Sequence, residues 1–378
     1  MKIAYVGLHL EKEILNGGVG NKIKTQMKVW KELGHSTHCF ILSTDKITFL
    51  NTSIFNFKKV NNGGLNGLIK QEIDRSVSLK KMIEDVKRFK PDIVYLRYGL
   101  YAHPLKRLFK IAPTVIEINS NDVDEYKYRG GFYYWMNRVT RSIQFKNVSG
   151  LSAVSWELAN LRSFKKYKKT TTVIANGVDF EEYEELPPSE NPSPRTIFVG
   201  TPGYNWHGID KLKTFAERYP DVIVDIVGYK ESDLAYDLPS NIICHGFLPK
   251  EDIIHMMRNA DAAFGTLALH RKNMEEASPL KVREALAYGL PIIIAYKDTD
   301  LEKIEADFIL KLPNKENNIV ENSELIYTFI KQMHGRRVDR SKIIQELDQK
   351  LKEKARIKFF KDLLLTSANH EFDDGKGL

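Results

Sequence analysis

The 378 residues exceed what a single hydrophobic core keeps filling, so two domains of ordinary size are expected. Hydrophobic residues make up 42% and charged residues 28%, which excludes disorder as the main state, and apolar runs such as 291–296 fall far short of the roughly 18 to 20 residues that cross a bilayer. The net charge of +8 favours anionic partners, leaving phosphorylated small molecules, acidic lipid surfaces and nucleic acid all open.

The opening Met1-Lys2-Ile3-Ala4-Tyr5-Val6-Gly7 runs straight into a strand pattern, without the long apolar stretch and small-residue cleavage site of a signal peptide, so a cytoplasmic protein is expected. Residues 3–7, a helical spacing over 20–33 and residues 38–42 form a β-α-β unit. Short apolar runs at 93–96 and 114–118, each introduced by proline, and at 150–154 and 172–175 extend a mostly parallel sheet with covering helices. Cys39 and Cys244 each sit in an apolar strand-like run and read as small buried hydrophobes. Four prolines within 186–194 exclude a helix or a central strand and mark a linker. A second alternating series follows, with strands at 196–200, 222–228, 242–246, 262–266 and 291–295. The expected division is 1–188, 189–345, a helix over 346–366 packing back on the first domain, and a frayed polar tail over 367–378. Open parallel sheets bind ligands at the carboxyl ends of their strands.

The segment 275–291 carries the most chemistry. Ser278 is a good N-cap, Pro279 suits a first helical position, and Gly289 ahead of Leu290-Pro291 ends the helix before a strand. A short helix fed by a loop offers amides and a dipole to a phosphate, although an ordinary connection has the same outline. Glu276 lies in the loop and Glu284 inside the helix. A carboxylate amid Val282, Ala285 and Leu286 needs water or a ligand.

Glu276 and Glu284, with seven residues between them, resemble the E-x7-E signature of the family four glycosyltransferases, and the resemblance covers about residues 1 to 300. It implies the α/β GT-B fold, two Rossmann-like domains facing across a cleft, with the acceptor on the first and a nucleoside diphosphate sugar on the second. It implies further that Glu276 contacts the donor sugar, Glu284 the ribose, and the amides near Ser278, Pro279, Leu280 and Lys281 the diphosphate. Lys281, Arg271 and Lys272 become candidate phosphate partners, and Gly228, at the end of the strand 222–228, a donor-side position.

The loop 16–20, with Gly17 and Gly18, resembles the family's acceptor-side glycine loop, where glycine lets the backbone approach a ligand. It fails the dinucleotide fingerprint because Ile23 stands where a third glycine is needed, which argues against hydride transfer. Residues 173–179 resemble the strand and turn before the linker, with Asn176-Gly177 in a structural role. Residues 198–212 resemble the opening of the donor domain but depart from it. Many members have lysine where His207 stands and an arginine earlier in the loop, so the phosphate charge falls to Lys211, or to Lys281 and the helix amides. Asn119 stands where the family often has histidine. It can orient a hydroxyl but cannot move a proton, which leaves Glu117 and Asp122 as candidate bases. Retaining transfer in this family is ascribed to front-face attack helped by the donor's own phosphate, so the histidine is dispensable.

Residues 125–146 mix cations with aromatics in a way that suits either an anionic bilayer surface or a helix with its rings in the core, and Lys165 to Lys169 adds basic charge. Nucleic acid is disfavoured because no recognition motif accompanies the charge. The expected function is a metal-independent, cofactor-free retaining transferase that moves a hexose to a hydroxyl on a lipid-linked or saccharide acceptor, in polysaccharide or glycolipid biosynthesis. Two rivals share the fold: a sugar-nucleotide epimerase, and a sugar-nucleotide-binding or scaffold protein without catalysis.

Overall fold

A computed structural model describes residues 1–49, 51–60 and 64–374, and for residues 128, 129 and 367–374 the backbone alone. The chain divides into two compact units, Met1–Ala175 with Gln349–Leu378, and Asn176–Asp348.

The first unit is a seven-stranded parallel sheet of β1 (Lys2–Leu8), β2 (Ser36–Ser43), β3 (Thr52–Asn56), β4 (Ile93–Arg97), β5 (Thr114–Ile118), β6 (Gly150–Ala153) and β7 (Thr170–Val173), in the order β3-β2-β1-β4-β5-β6-β7. Its central strands are apolar along nearly their whole length because helices cover both faces. Those helices are α1 (Lys12–Asn16), α2 (Gly18–Glu32), α3 (Gly64–Phe89), α4 (Asp122–Arg129), α5 (Gly131–Asn147), α6 (Trp156–Asn160) and α7 (Arg162–Lys165).

The second unit has β8 (Arg195–Val199), β9 (Ile223–Val227), β10 (Ile242–Gly246), β11 (Ala262–Phe264), β13 (Ile292–Ile294) and β15 (Ile309–Lys311), parallel in the order β10-β9-β8-β11-β13-β15, with β12 (Glu276–Ala277) and β14 (Lys297–Asp298) as a separate pair. Its helices are α8 (Ile209–Arg218), α9 (Lys250–Arg258), α10 (Leu280–Ala287), α11 (Asn318–Met333) and α12 (Ile344–Leu347). The chain then returns to the first unit as α13 (Gln349–Asp374), which buries Ile357, Phe360 and Leu363 against Trp30 and Tyr95. In each sheet the strand order reverses once, between β1 and β4 and between β8 and β11, the kind of point at which open parallel sheets bind ligands.

Three organisational expectations need correction. The units part after Ala175 and not after residue 188, because Asn176 and Val178 bond within the second unit: the Val178 amide donates to the Leu347 carbonyl at 2.8 Å. The C-terminal helix starts at Gln349, since a 3₁₀ turn at Arg340–Lys342 and the four-residue α12 interrupt the pattern before it. The tail from Ser367 continues that helix to Asp374, there being no glycine or proline to stop it, and 375–378 lie outside the described residues. Cys39 is buried, whereas Cys244 is only half-buried, on an outer strand; both are free thiols.

Candidate functional site

In the second unit the loop after β11 runs through a 3₁₀ turn, Leu269–Lys272, into β12 and then α10. Pro279 is the cap of α10 and Leu280 its first residue, one position later than expected. Ser278 does not cap the helix: its Oγ accepts the Asn176 amide at 2.9 Å, and its carbonyl accepts the Asn176 side chain. Arg283 is wholly buried, donating to the Asn176 carbonyl at 3.2 Å and pairing with Asp298 through Nη2 at 2.6 Å. Because Asp298 lies on β14, which pairs with β12 in register Glu276↔Lys297, this ion pair fixes the strand bearing Glu276 against α10.

The opposite face of α10 carries Lys281 and Glu284, one helical turn apart. Glu284 is half-buried and accepts the Tyr183 hydroxyl; burial pushes its carboxyl up, against the pull of Lys281 and Lys250. Burial around its ammonium brings Lys281 down to about 8, with Glu284 opposing. Tyr183 packs edge-on against Tyr288 at 4.9 Å and Lys250 sits 5.7 Å above its ring. Neither Tyr183 nor Lys250 was singled out in the sequence, where nothing marks two residues so distant from Glu284. Glu276 is half-buried on β12. At the head of α10, first-turn amides lack intrahelical acceptors, so one loop and helix carry carboxylate acceptors together with ammonium and amide donors.

The other donor-side candidates divide. His207 Nδ1 lies 2.7 Å from the Tyr229 hydroxyl, which donates to the Thr201 carbonyl at 2.8 Å, so the imidazole donates to Tyr229. Burial, then Lys281 and Lys272, pushes His207 down to about 3 and leaves it neutral. Gly228 has φ +93°, and a Cβ there would meet the Gly200 carbonyl oxygen at 2.0 Å, so glycine is required by the crossing of two backbones. Lys211 is not available to a phosphate: its buried ammonium donates to the Leu267 and Lys315 carbonyls and Asn318 at 3.3, 2.8 and 3.0 Å. Arg271 is likewise committed, forked onto Asp210 at 2.8 and 2.7 Å and bonded to Glu316. Lys272 lies 4.8 Å above the Trp206 ring.

In the first unit, Gly17 caps α2 and Gly18 begins it, so the expected glycine loop is a tight junction between α1 and α2. The backbones meet at Gly20, where a Cβ would fall 1.7 Å from the Leu15 oxygen. Glu117 is fully buried, paired with Lys22 at 2.6 Å and Arg97 at 3.1 Å. Burial alone would push its carboxyl up, but Lys22, Arg97 and Arg356 hold it well below the usual range, so it stays ionised and is no general base. Asp122 is not one either: it is buried and receives both arms of Arg141 at 2.9 and 2.8 Å and the Asn137 amide at 2.7 Å. Asn119 Oδ1 accepts from Lys22 at 3.1 Å. Among the described residues, no group of three histidine, cysteine or acidic side chains is placed to hold a metal ion, and no helix is long and apolar enough to cross a membrane.

Residues 16–182 match the family model for glycosyltransferase family 4, and residues 179–356 that for glycosyl transferases group 1. No curated protein sequence matches the chain. Similar solved structures include sucrose-phosphate synthase from Thermosynechococcus elongatus (14% identity over 96% of this chain and 99% of that one, TM-score 0.66). Another is the lipopolysaccharide outer core galactosyltransferase WaaB (14%, 97% and 100%, TM-score 0.60). A third is HepE of Anabaena in complex with UDP-glucose (14%, 95% and 99%, TM-score 0.62). With a parallel α/β sheet in each unit and family models that together span residues 16–356, the chain belongs to the GT-B glycosyltransferases of family four, group one.

Proposed function

We propose that the chain is a retaining hexosyltransferase that uses a nucleoside diphosphate sugar and a hydroxyl acceptor, lipid-linked or saccharide, in the making of a cell-surface polysaccharide or glycolipid. One observation carries the reading: Glu276, Lys281 and Glu284 are held on one loop and helix by the buried Arg283–Asp298 pair. A donor bound there places its diphosphate against the α10 amides and the Lys281 ammonium, and the Glu284 carboxylate accepts the ribose hydroxyls. Glu276 accepts a hydroxyl of the hexose and favours the positive charge that grows at the anomeric carbon as the diphosphate leaves. The departing oxygens are neutralised by Lys281 and the amides, so the reaction calls for no metal or other cofactor. On the acceptor side, Asn119 orients a hydroxyl with its amide while Lys22 fixes its oxygen. The UDP-glucose bound in HepE supports a nucleotide-sugar donor.

Replacing Glu276 by alanine is expected to lower turnover about 10²- to 10³-fold, the scale of removing one transition-state partner, with thermal unfolding unchanged. Release of nucleoside diphosphate in the presence of acceptor measures this; wild-type turnover would take Glu276 out of the reaction. A second reading, a sugar-nucleotide-binding protein without transfer, is favoured by the neutral His207 and the committed Lys211 and Arg271. Product formation by the purified wild-type protein separates the two.

A further inference from the structure

Helix α3 has two apolar faces. Its inner face buries Leu79, Met82, Ile83 and Val86, together with Gln71 and Arg75. Its outer face carries Leu65, Ile69, Ile73 and Val77 at spacings of four, a single ridge left 63, 46, 60 and 50% exposed. Packing within the unit does not explain that ridge, since the contacts of the helix with the sheet are made from the other side. Helix α5 adds Trp135 and Val139, 62 and 49% exposed, and the two ridges border a groove of about 710 Å³ whose lining comes entirely from the first unit. Among the described residues, six of the fifteen strongly exposed large apolar side chains therefore lie on these two helices, a concentration that marks an interaction surface.

The charge around the groove is mostly positive, Glu72 being the one acidic residue in its lining. Lys80 and Arg107 line it, and the 3₁₀ turn Leu105–Lys110, which packs against both helices, exposes Lys106 and Lys110 as well. Neither that turn nor α5 contains an acidic residue. Glu72, in the lining, is paired with Arg75 at 2.8 Å, and Asp74 accepts the Lys58 amide at 2.6 Å. Arg138 stacks on the Tyr134 ring at 5.7 Å. Aliphatic side chains flanked by an indole, with an excess of cations beside them, match the layers of an anionic membrane surface, with acyl chains beneath, rings at the headgroups and ammonium and guanidinium groups on lipid phosphates.

We propose that the groove between α3 and α5 is the surface by which this chain seats on an anionic lipid bilayer. The inference does not depend on the donor site and stands or falls separately from it. The full chain is floated with vesicles of phosphatidylcholine alone or mixed with phosphatidylglycerol, and its tryptophan emission is followed. Wild type is expected to bind the mixed vesicles only, less at high salt, with a blue shift that is lost in Trp135→Phe. Ile73→Ser with Val77→Ser, and separately Lys80→Glu with Arg107→Glu, should each weaken partition at least about tenfold while circular dichroism and melting stay as in wild type. Absence of vesicle binding, or binding untouched by both pairs of substitutions, overturns the proposal. So does sedimentation showing that the apolar pair instead dissolves a protein dimer in a chain that ignores vesicles. Both pairs alter exposed side chains, and the Trp135 signal is read in a chain that keeps them.

Discussion

A lysine brought down to about 8 changes charge within the range of ordinary buffers, and for Lys281 the cause is burial of the ammonium, partly offset by Glu284. A diphosphate beside it favours the charged form, so binding raises its pKa and takes up protons above pH 8. The sign follows: affinity for a nucleoside diphosphate is full below pH 8 and falls as pH rises through 8. Titration calorimetry between pH 7 and 9.5 should show this decline, by up to about tenfold per pH unit. Lys281→Met should bind weakly at every pH; a decline of equal steepness in that variant counts against the assignment. Glu117 poses the opposite problem, an anion enclosed by cations. Glu117→Gln keeps the shape but leaves Lys22 and Arg97 buried without their counter-charge, which should cost about 3–5 kcal/mol in urea unfolding. Since the folded carboxyl lies below its unfolded value, its contribution is present above the unfolded pKa and is lost as pH falls through the folded one. The gap between wild type and variant should therefore narrow in acid, and a gap independent of pH would argue that shape alone was lost.

At the scale of elements, α10 and the loop before it depend on Asn176, which receives the Arg283 guanidinium on its carbonyl and donates twice to Ser278. Asn176→Ala removes the side-chain donor and leaves the buried Ser278 carbonyl unsatisfied, an expected loss of about 1–3 kcal/mol. Because that loop sets Glu276 against α10, turnover should fall more than nucleotide affinity does; equal losses in both would separate the loop from catalysis. The same cluster shows what could be read in advance. Glu276 and Glu284 could be singled out as candidates because their spacing lies within one short segment, and the strands were legible because buried parallel strands are largely apolar. The role of Ser278 was not, since its hydroxyl is claimed by a residue 102 positions away. Lys211 and Arg271 look in sequence like cations free to meet a phosphate, but Asn318, Asp210 and Glu316, all distant along the chain, take them up. Helix α3 escaped notice because polar Gln71 and Arg75 sit on its buried side and aliphatics on its open one, which blurs the period that identifies a helix. The cations and aromatics of 125–146 were visible, but only α3 supplies the second wall that turns them into a surface; Tyr128 and Arg129 fall outside the side chains described.

Over the whole molecule, the first unit is assembled from both ends of the chain, and α13 supplies what residues 1–175 lack. Its Glu353 is fully buried, accepting Trp30 Nε1 at 2.6 Å and Gln26 at 3.2 Å and pairing with Arg356 at 3.0 Å, while Arg356 reaches Ser152 at 2.8 Å. A buried charged knot adds little net stability, but removing Glu353 takes away the carboxylate paired directly with Arg356 and leaves Glu117 to balance Arg356 as well as Lys22 and Arg97. Glu353→Ala should therefore destabilise the first unit by about 3–5 kcal/mol. Tryptophans report on the units separately, since Trp30, Trp135 and Trp156 belong to the first and Trp206 to the second. In urea, the signal of the first three should move to lower denaturant in the variant, whereas the Trp206 signal, isolated by comparison with Trp206→Phe, should keep its midpoint. The second unit has its own closure for this outcome, the Val178 amide on the Leu347 carbonyl, which joins the points where the chain enters and leaves it. A shared shift of both signals would mean that α13 stabilises the two sheets together, and the chain would then behave as one cooperative unit.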